Sequence, residues 1–292
     1  MKQLGFCGAT IDRADHVRSS PDALADARTS LSARLLRLNG IDPVIDDDGR
    51  LGWGSLAEAE PDADLLFLGL VDDKPRWAAL PPASARIDAR SRSVWAVLGL
   101  LGPADMALYG GVRSLVDWHH RHRFCAVCGT PTAVAKGGWQ RDCSTCKASH
   151  FPRVDPVTIM LAEHDGAVLV ARQSAWPSGR FSALAGFVEP GESLEEAVLR
   201  ELHEEAGIIC ANVRYVASQP WPFPSQLMIA CMAQAPHRDI VLDTTELSDA
   251  MWVDRPQVLA ALAGDEAAPF VAPPPYAIAH TLLTHWANLE QV

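Results

Sequence analysis

Residues 186–208 read GFVEPGESLEEAVLRELHEEAGI and bring Glu192, Glu201, Glu204, Glu205 and Arg200 into one short loop-helix unit. Four carboxylates held that close repel one another unless positive charge sits among them. Gly186, Pro190 and Gly191 make the first part a turn. Ser193 is placed as an N-cap with Glu196 three residues later, as in a capping box. Gly207 suits a C-cap, so the spacing predicts a helix from Ser193 to about Ala206. On that helix Glu201, Glu204 and Glu205 are spaced by three and four and share an arc about 100° wide. Val198, Leu199, Leu202 and Ala206 fall on the neighbouring arc, which can pack on a sheet. Glu192 precedes the helix and can reach back toward it. Arg200, four residues before Glu204, can orient a carboxylate by a forked contact.

An isolated E-L-x-E-E would read as a solvated acidic face. The glycine loop before it and the arginine within it point instead to a divalent metal holding a phosphate. Hard oxygen ligands suit Mg²⁺ or Mn²⁺, ions that bridge phosphate oxygens and activate water. The implied chemistry is hydrolysis of a phosphoanhydride.

Cys125, Cys128, Cys143 and Cys146 form a CxxC-x14-CxxC pattern. Two such knuckles are the signature of a tetrahedral zinc site, and a closed four-sulfur shell makes that zinc structural. Gly129 follows the first pair, where a tight knuckle turn is expected. The alternative is a pair of disulfides, which an oxidising compartment would favour. Residues 218–228 read SQPWPFPSQLM. Prolines alternating with large aromatics make a stiff segment that cannot be a helix or a central strand. Gln219 supplies an amide, and Trp221 or Phe223 could lie against a flat ring. The plainer reading is a rigid core-facing loop.

Together these motifs resemble the NADH pyrophosphatase family of Nudix hydrolases. The fixed positions of the Nudix signature are Gly186, Glu192, Arg200, Glu201, Leu202, Glu204, Glu205, Gly207 and Ile208. The ribbon lies upstream and SQPWPFP downstream, so the resemblance covers residues 115–285 well and residues 1–115 loosely. The family marker SQPWPFPxS ends in Ser, where this chain has Gln226 with Ser225 just before it.

The resemblance implies an α+β chain: a Nudix α/β/α sandwich with a mixed sheet, preceded by a zinc ribbon and an N-terminal α/β domain. It implies cleavage of NAD(H) at its pyrophosphate to nicotinamide mononucleotide and AMP, and action on RNA with NAD at its 5′ end. Glu201, Glu204 and Glu205 would be metal ligands, with Glu205 the base, and Glu246 in the IVLDTTEL segment would join the metal site. Phe151 and Phe187 would sandwich the nicotinamide. Gln219, Met228 and Ala279 would lie near the nucleotide, and a substrate-contacting turn would follow Pro273–Pro275. Two other readings stand beside this one: a Nudix enzyme for ADP-ribose or other nucleoside diphosphate derivatives, and a zinc-ribbon RNA-binding module with an inactive box. The complete set of Glu192, Arg200, Glu201, Glu204 and Glu205 argues against the last.

A 292-residue chain of 48% hydrophobic content can bury a sizeable core. The expected division is an N-terminal domain at 1–115, the ribbon at 116–151 and the Nudix domain at 152–292. No apolar run approaches the roughly 20 residues of a membrane helix, and the first 20 residues hold no apolar signal core, so a cytoplasmic protein is expected. The family resemblance makes a homodimer the expected assembly. A net charge of −11 argues against bulk nucleic-acid binding. Residues 110–154 depart from it, with seven Lys or Arg against two Asp and the His119, His120, His122 cluster. This basic stretch could meet a nucleotide phosphate or an RNA strand, or be a solvated surface. Residues 1–62 are polar and uneven, with a turn at Asp46–Gly49. A hairpin is predicted over 65–71 and 76–80, helix over 92–123 broken near Gly102–Pro103, strands over 157–162, 167–171, 213–218 and 227–233, and helices over 257–262 and 278–289.

Overall fold

The structure, a computed structural model, describes residues 4–87 and 93–289. Two compact units divide the chain. One holds Phe6–Val154 with Trp221–Ser225, the other Met1–Gly5, Asp155–Pro220 and Gln226–Val292.

In the first unit, α1 (Asp15–Arg18) and α2 (Pro21–Thr29) precede β1 (Arg34–Leu36), the small pair β2 (Leu38–Asn39) and β3 (Asp42–Pro43), β4 (Trp53–Gly54), and the hairpin β5 (Leu65–Val71) and β6 (Lys74–Ala79). A four-stranded sheet runs in the order β4-β1-β6-β5. The predicted hairpin is present. Asp72 and Asp73 both take positive φ, 50° and 57°, the backbone a two-residue turn needs to match strand twist. Phe67, Trp77 and Leu35 fill the core beneath it. The short strands within 1–62 carry no alternation long enough to read from sequence. Helix α3 (Ser93–Leu98) and helix α4 (Pro103–Arg121) are separated where predicted, with Pro103 at the start of α4. Residue 92, the first of the predicted helical span, lies outside the described residues.

Strands β7 (Thr132–Ala135), β8 (Gln140–Cys143) and β9 (Ser149–His150) form the three-stranded ribbon sheet. The basic stretch is partly structural. Arg113 and Arg141 are buried. Arg141 donates to Thr132 Oγ1 at 2.8 Å and to the Thr132 carbonyl at 2.7 Å. His119, also buried, lies 2.7 Å from the Gly138 carbonyl through Nε2 and 3.0 Å from Arg141 through Nδ1. An arginine can only donate, so Nδ1 accepts, Nε2–H donates, and the ring is neutral. Burial pulls the His119 pKa from 6.5 to about 4, with the Gly138 bond partly opposing. A depressed folded-state pKa gives stability that is present above pH 6.5 and lost as pH falls toward 4. Chemical denaturation between pH 7.5 and 4.5 should therefore show a decline that His119→Gln flattens. An unchanged pH dependence in that variant would contradict this role.

The second unit is built on a six-stranded mixed sheet. Its strands are β10 (Asp155–His164), β11 (Ala167–Arg172), β12 (Leu184–Phe187), β13 (Ala211–Trp221), β14 (Gln226–Gln234) and β15 (Asp249–Asp254), ordered β13-β14-β10-β11-β15 with β12 paired to β10. Strand β10 runs parallel to β14 and antiparallel to β11 and β12. Met160 and Ala162 share a core with Val198, Leu202 and Ala206 of α5 (Leu194–Ala206). Strand alternation turns the buried Ile159 and Leu161 to the opposite face, where α6 (Arg255–Ala263) and α7 (Ile278–Ala287) belong. This is the α/β/α sandwich expected from the sequence. Residues 218–221, read from sequence as too stiff for a central strand, end β13 at the sheet edge, where a proline costs no ladder bond.

Candidate active site

Helix α5 starts and stops as the sequence predicts. Ser193 Oγ accepts from the Glu196 N–H at 3.3 Å, and Glu196 Oε2 accepts from the Ser193 N–H at 2.7 Å. Gly207 ends the helix at φ 71°, its N–H donating to the His203 carbonyl and that of Ile208 to the Leu202 carbonyl. A fixed start and stop set the phase of every carboxylate on the helix.

That phase separates the three helix glutamates. Glu201 and Glu205 turn toward the sheet and are buried, while Glu204 is exposed. The predicted shared arc is therefore split at its edge by packing. Arg200 is the hub. Its guanidinium forks onto Glu192 at 2.6 and 3.0 Å and donates to Glu201 at 2.7 Å and Glu204 at 3.1 Å. It also donates to the Phe187 carbonyl at 2.9 Å. Arg200 holds Glu192 down to about 2. One side chain thus fixes three carboxylates and the end of β12 together.

Gly186, in β12, has a backbone reason to be glycine. A Cβ built there would overlap the Glu201 carboxylate itself. Gly186→Ala should therefore displace Glu201 and lower kcat at least tenfold with little change in Tm, measured on the purified variant. Wild-type kcat would show that the close approach has no catalytic use.

Glu205 is the most perturbed group of the set. It is 4% exposed, and its Oε2 has no hydrogen-bond partner. Burial pushes its pKa up to about 8, and the charges of Glu201, Glu246, Asp243 and Glu204 add to the rise. Burial also raises Glu201, against the opposing pull of Arg200. A buried carboxylate oxygen without a donor, beside four other acids of which Arg200 pairs with only Glu201 and Glu204, leaves the cluster with excess negative charge. Hard oxygen donors in that arrangement fit a divalent cation. Their oxygens are more widely spaced than the ribbon sulfurs: among the described residues only the four cysteines have all ligand atoms within 4.8 Å. Asp243 was not singled out from sequence, although it stands in the same segment as Glu246. It shapes the turn by accepting from Thr245 N and Oγ1, each at 2.8 Å.

The ring and nucleotide candidates take several environments. Phe187 is 53% exposed at the end of β12. Gln219 is fully buried, donates from Nε2 to the Tyr276 carbonyl at 3.1 Å, and leaves Oε1 without a partner. It thereby ties the edge strand to the turn after Pro273–Pro275. Met228 faces Val157 across β10 and β14, and Ala279 is buried in α7. Trp221 and Phe151 belong to the other unit. Trp221 packs against Phe6, Trp95 and Phe223 with centroids 5.7, 5.6 and 5.1 Å away. Phe223 lies 4.3 Å from Trp95 and under the Arg113 guanidinium at 4.9 Å. Ser225 Oγ donates to the Arg153 carbonyl at 2.9 Å, and Gln226 opens β14 opposite Asp155. Phe151 is exposed.

In the ribbon, Cys125 and Cys146 Sγ are 3.5 Å apart, as are Cys128 and Cys143 Sγ. A tetrahedron with Zn–S near 2.3 Å has edges of about 3.8 Å, so the four sulfurs fit zinc. All seven cysteines are unbridged, which sets aside the disulfide alternative. Gly129 takes φ 76° in the first knuckle turn, and Lys147 takes φ 62° at the matching place in the second. Both N–H groups close back on the first cysteine of their pair.

Residues 152–272 match the family model described as NUDIX domain, and residues 120–151 the one described as NADH pyrophosphatase zinc ribbon domain. The human NAD-capped RNA hydrolase NUDT12 is 38% identical over 267 residues, covering 88% of this chain and 54% of the relative. The Mycobacterium bovis NAD-capped RNA hydrolase NudC is 36% identical over 294 residues, covering 96% and 93%. The chain therefore spans about half the length of the human relative and nearly all of the mycobacterial one. It belongs to the NADH pyrophosphatase family of Nudix hydrolases.

Proposed function

We propose that this protein hydrolyses the pyrophosphate bond of NAD(H), giving nicotinamide mononucleotide and AMP, and removes the same group from NAD-capped RNA 5′ ends. The observation that carries this reading is the Arg200 hub, which locks the Phe187 end of β12 to the carboxylate cluster. The names of the human and mycobacterial relatives support the substrate.

In this reading Glu201, Glu204, Glu205 and Glu246 hold Mg²⁺ or Mn²⁺. Such a cation, when bound, would supply positive charge that favours the carboxylate form of Glu205 and offsets the charge of the phosphates. Glu205 then takes a proton from water. The water oxygen bonds to one phosphorus as the bridging P–O bond breaks, and the bridging oxygen leaves on the other phosphate. Arg200 keeps Glu201 and Glu192 oriented throughout. Phe187 lies against the nicotinamide ring. Gln219, Met228 and Ala279 line the nucleotide, and Trp221 stiffens the segment that follows. Cys125, Cys128, Cys143 and Cys146 hold a structural zinc.

Phe187→Ala tests the ring assignment. A lost aromatic contact is worth about 1 kcal/mol, so KM for NADH should rise several-fold with kcat nearly kept. Hydrolysis of ADP-ribose, which lacks nicotinamide, should be spared. Equal loss on both substrates would remove the role.

The division into domains at 1–115, 116–151 and 152–292 belongs to the same proposal, and the two family matches support its later parts. So does a homodimer, supported by the family resemblance. Light scattering should give twice the 31.5 kDa chain mass. No described helix is long and apolar enough to cross a membrane. A cytoplasmic site is supported by the unbridged thiols.

A further inference from the structure

The Phe6–Val154 unit carries a cavity of about 430 Å³, within the range of small-molecule sites. Its floor is the four-stranded sheet, and its far wall is the Asp46–Arg50 turn with the start of α4. Arg34 and Arg76 are register partners across the parallel β1 and β6 pair. Leu36, two residues after Arg34, is the partner of Trp53 on β4. Strand alternation therefore places Arg34, Arg76 and Trp53 on one face of the sheet, and all three line the cavity. The Arg76 guanidinium lies over the Trp53 ring at 5.4 Å.

Placing two arginines side by side costs Coulomb energy that neither recovers from an ion pair. Arg34 donates to the Leu31 and Ala33 carbonyls, and Arg76 to those of Lys74 and Pro75. Among the described residues no carboxylate is bridged to either. Burial lowers the Arg76 pKa, the Arg34 charge lowers it further, and Asp72 partly opposes. The third arginine is different. Arg50 forks onto Asp105 at 2.9 and 3.3 Å and feels Asp46 and Asp48. The cavity is thus sorted, with an unneutralised cationic end beside an indole and a carboxylate-rich end across from it.

We propose that this cavity binds a nucleoside monophosphate unit. The phosphate meets Arg34 and Arg76, whose guanidinium groups suit phosphate oxygens. The base rests on the Trp53 wall, and ribose hydroxyls or base amino groups donate to the Asp46 and Asp48 end. The same chemistry could come from a free mononucleotide or from one residue of an RNA strand. Neither source depends on the catalytic reading above, because the readout is binding.

Titration calorimetry on zinc-loaded protein without added Mg²⁺ or Mn²⁺ tests this, using AMP in one arm and an uncapped five-nucleotide oligoadenylate in the other. Wild type is compared with Arg34→Gln, Arg76→Gln and Trp53→Leu. Arg34 is exposed, so Arg34→Gln should keep the wild-type Tm and the wild-type NADH rate. Affinity for at least one probe should fall tenfold or more in each variant. Loss in the AMP arm assigns a free nucleotide, and loss in the oligonucleotide arm alone assigns an RNA strand. Unchanged affinity for both probes in Arg34→Gln and Trp53→Leu overturns the site.

Discussion

Glu205→Gln is expected to lower kcat for NADH by about 10²–10⁴-fold, the range that a positioned general base supplies. The change is nearly isosteric, so shape is kept while the proton acceptor and one charged metal ligand are lost. A second effect separates this from damage to the fold. In metal-free protein the folded-state pKa of Glu205 is about 8, above its ordinary 4.5. A raised carboxyl pKa gives stability that is present below pH 4.5 and lost as pH rises through 8. At pH 8 the metal-free native state therefore carries an electrostatic penalty that glutamine removes. Glu205→Gln should raise the Tm of Mg²⁺- and Mn²⁺-free protein at pH 8 while abolishing turnover, a trade of stability for activity. A variant that melts lower and also loses activity would point to a structural role. A variant of full rate would end the assignment of the base.

Cys143→Ser should have the largest effect on stability. The ribbon sheet has strands of four, four and two residues, too little to hold a core by itself. Cys143 is buried and closes its knuckle through the Lys147 N–H. Structural zinc in such small modules contributes on the order of 10 kcal/mol. Zinc content measured by elemental analysis should fall below one per chain, and limited proteolysis should cut within 120–151. Full zinc content with an unchanged melting curve would contradict a structural metal.

The site was legible where chemistry is local. The Ser193 and Glu196 box, the Gly207 stop and the Gly129 knuckle are set by residues within a few positions, and each has the predicted geometry. What sequence hid was decided by distant packing. Periodicity put Glu201, Glu204 and Glu205 on one arc, but only the sheet against α5 determines that Glu204 faces outward. Lys147 takes a left-handed backbone that no glycine announced, because the ribbon closure dictates it. The basic stretch read as one surface, yet Arg113 and Arg141 are interior. The strands β1 to β4 have two or three residues each, and the pairing of β1 with the distant β6 joins Arg34 to Arg76, beyond the reach of any local pattern. Trp221 was free to meet a ligand ring in the sequence, whereas the fold gives it Phe6, Trp95 and Phe223.

The carboxylate cluster around Arg200 is expected to cleave the pyrophosphate of NAD(H). The most direct measurement is chromatographic product analysis after incubating the purified protein with NADH, and in parallel with NAD-capped RNA, in Mg²⁺ and in Mn²⁺. Equal amounts of reduced nicotinamide mononucleotide and AMP are expected from NADH, and RNA left with a 5′ phosphate, both lost in Glu205→Gln. Failure of the wild-type protein to form AMP from NADH with either metal would contradict it.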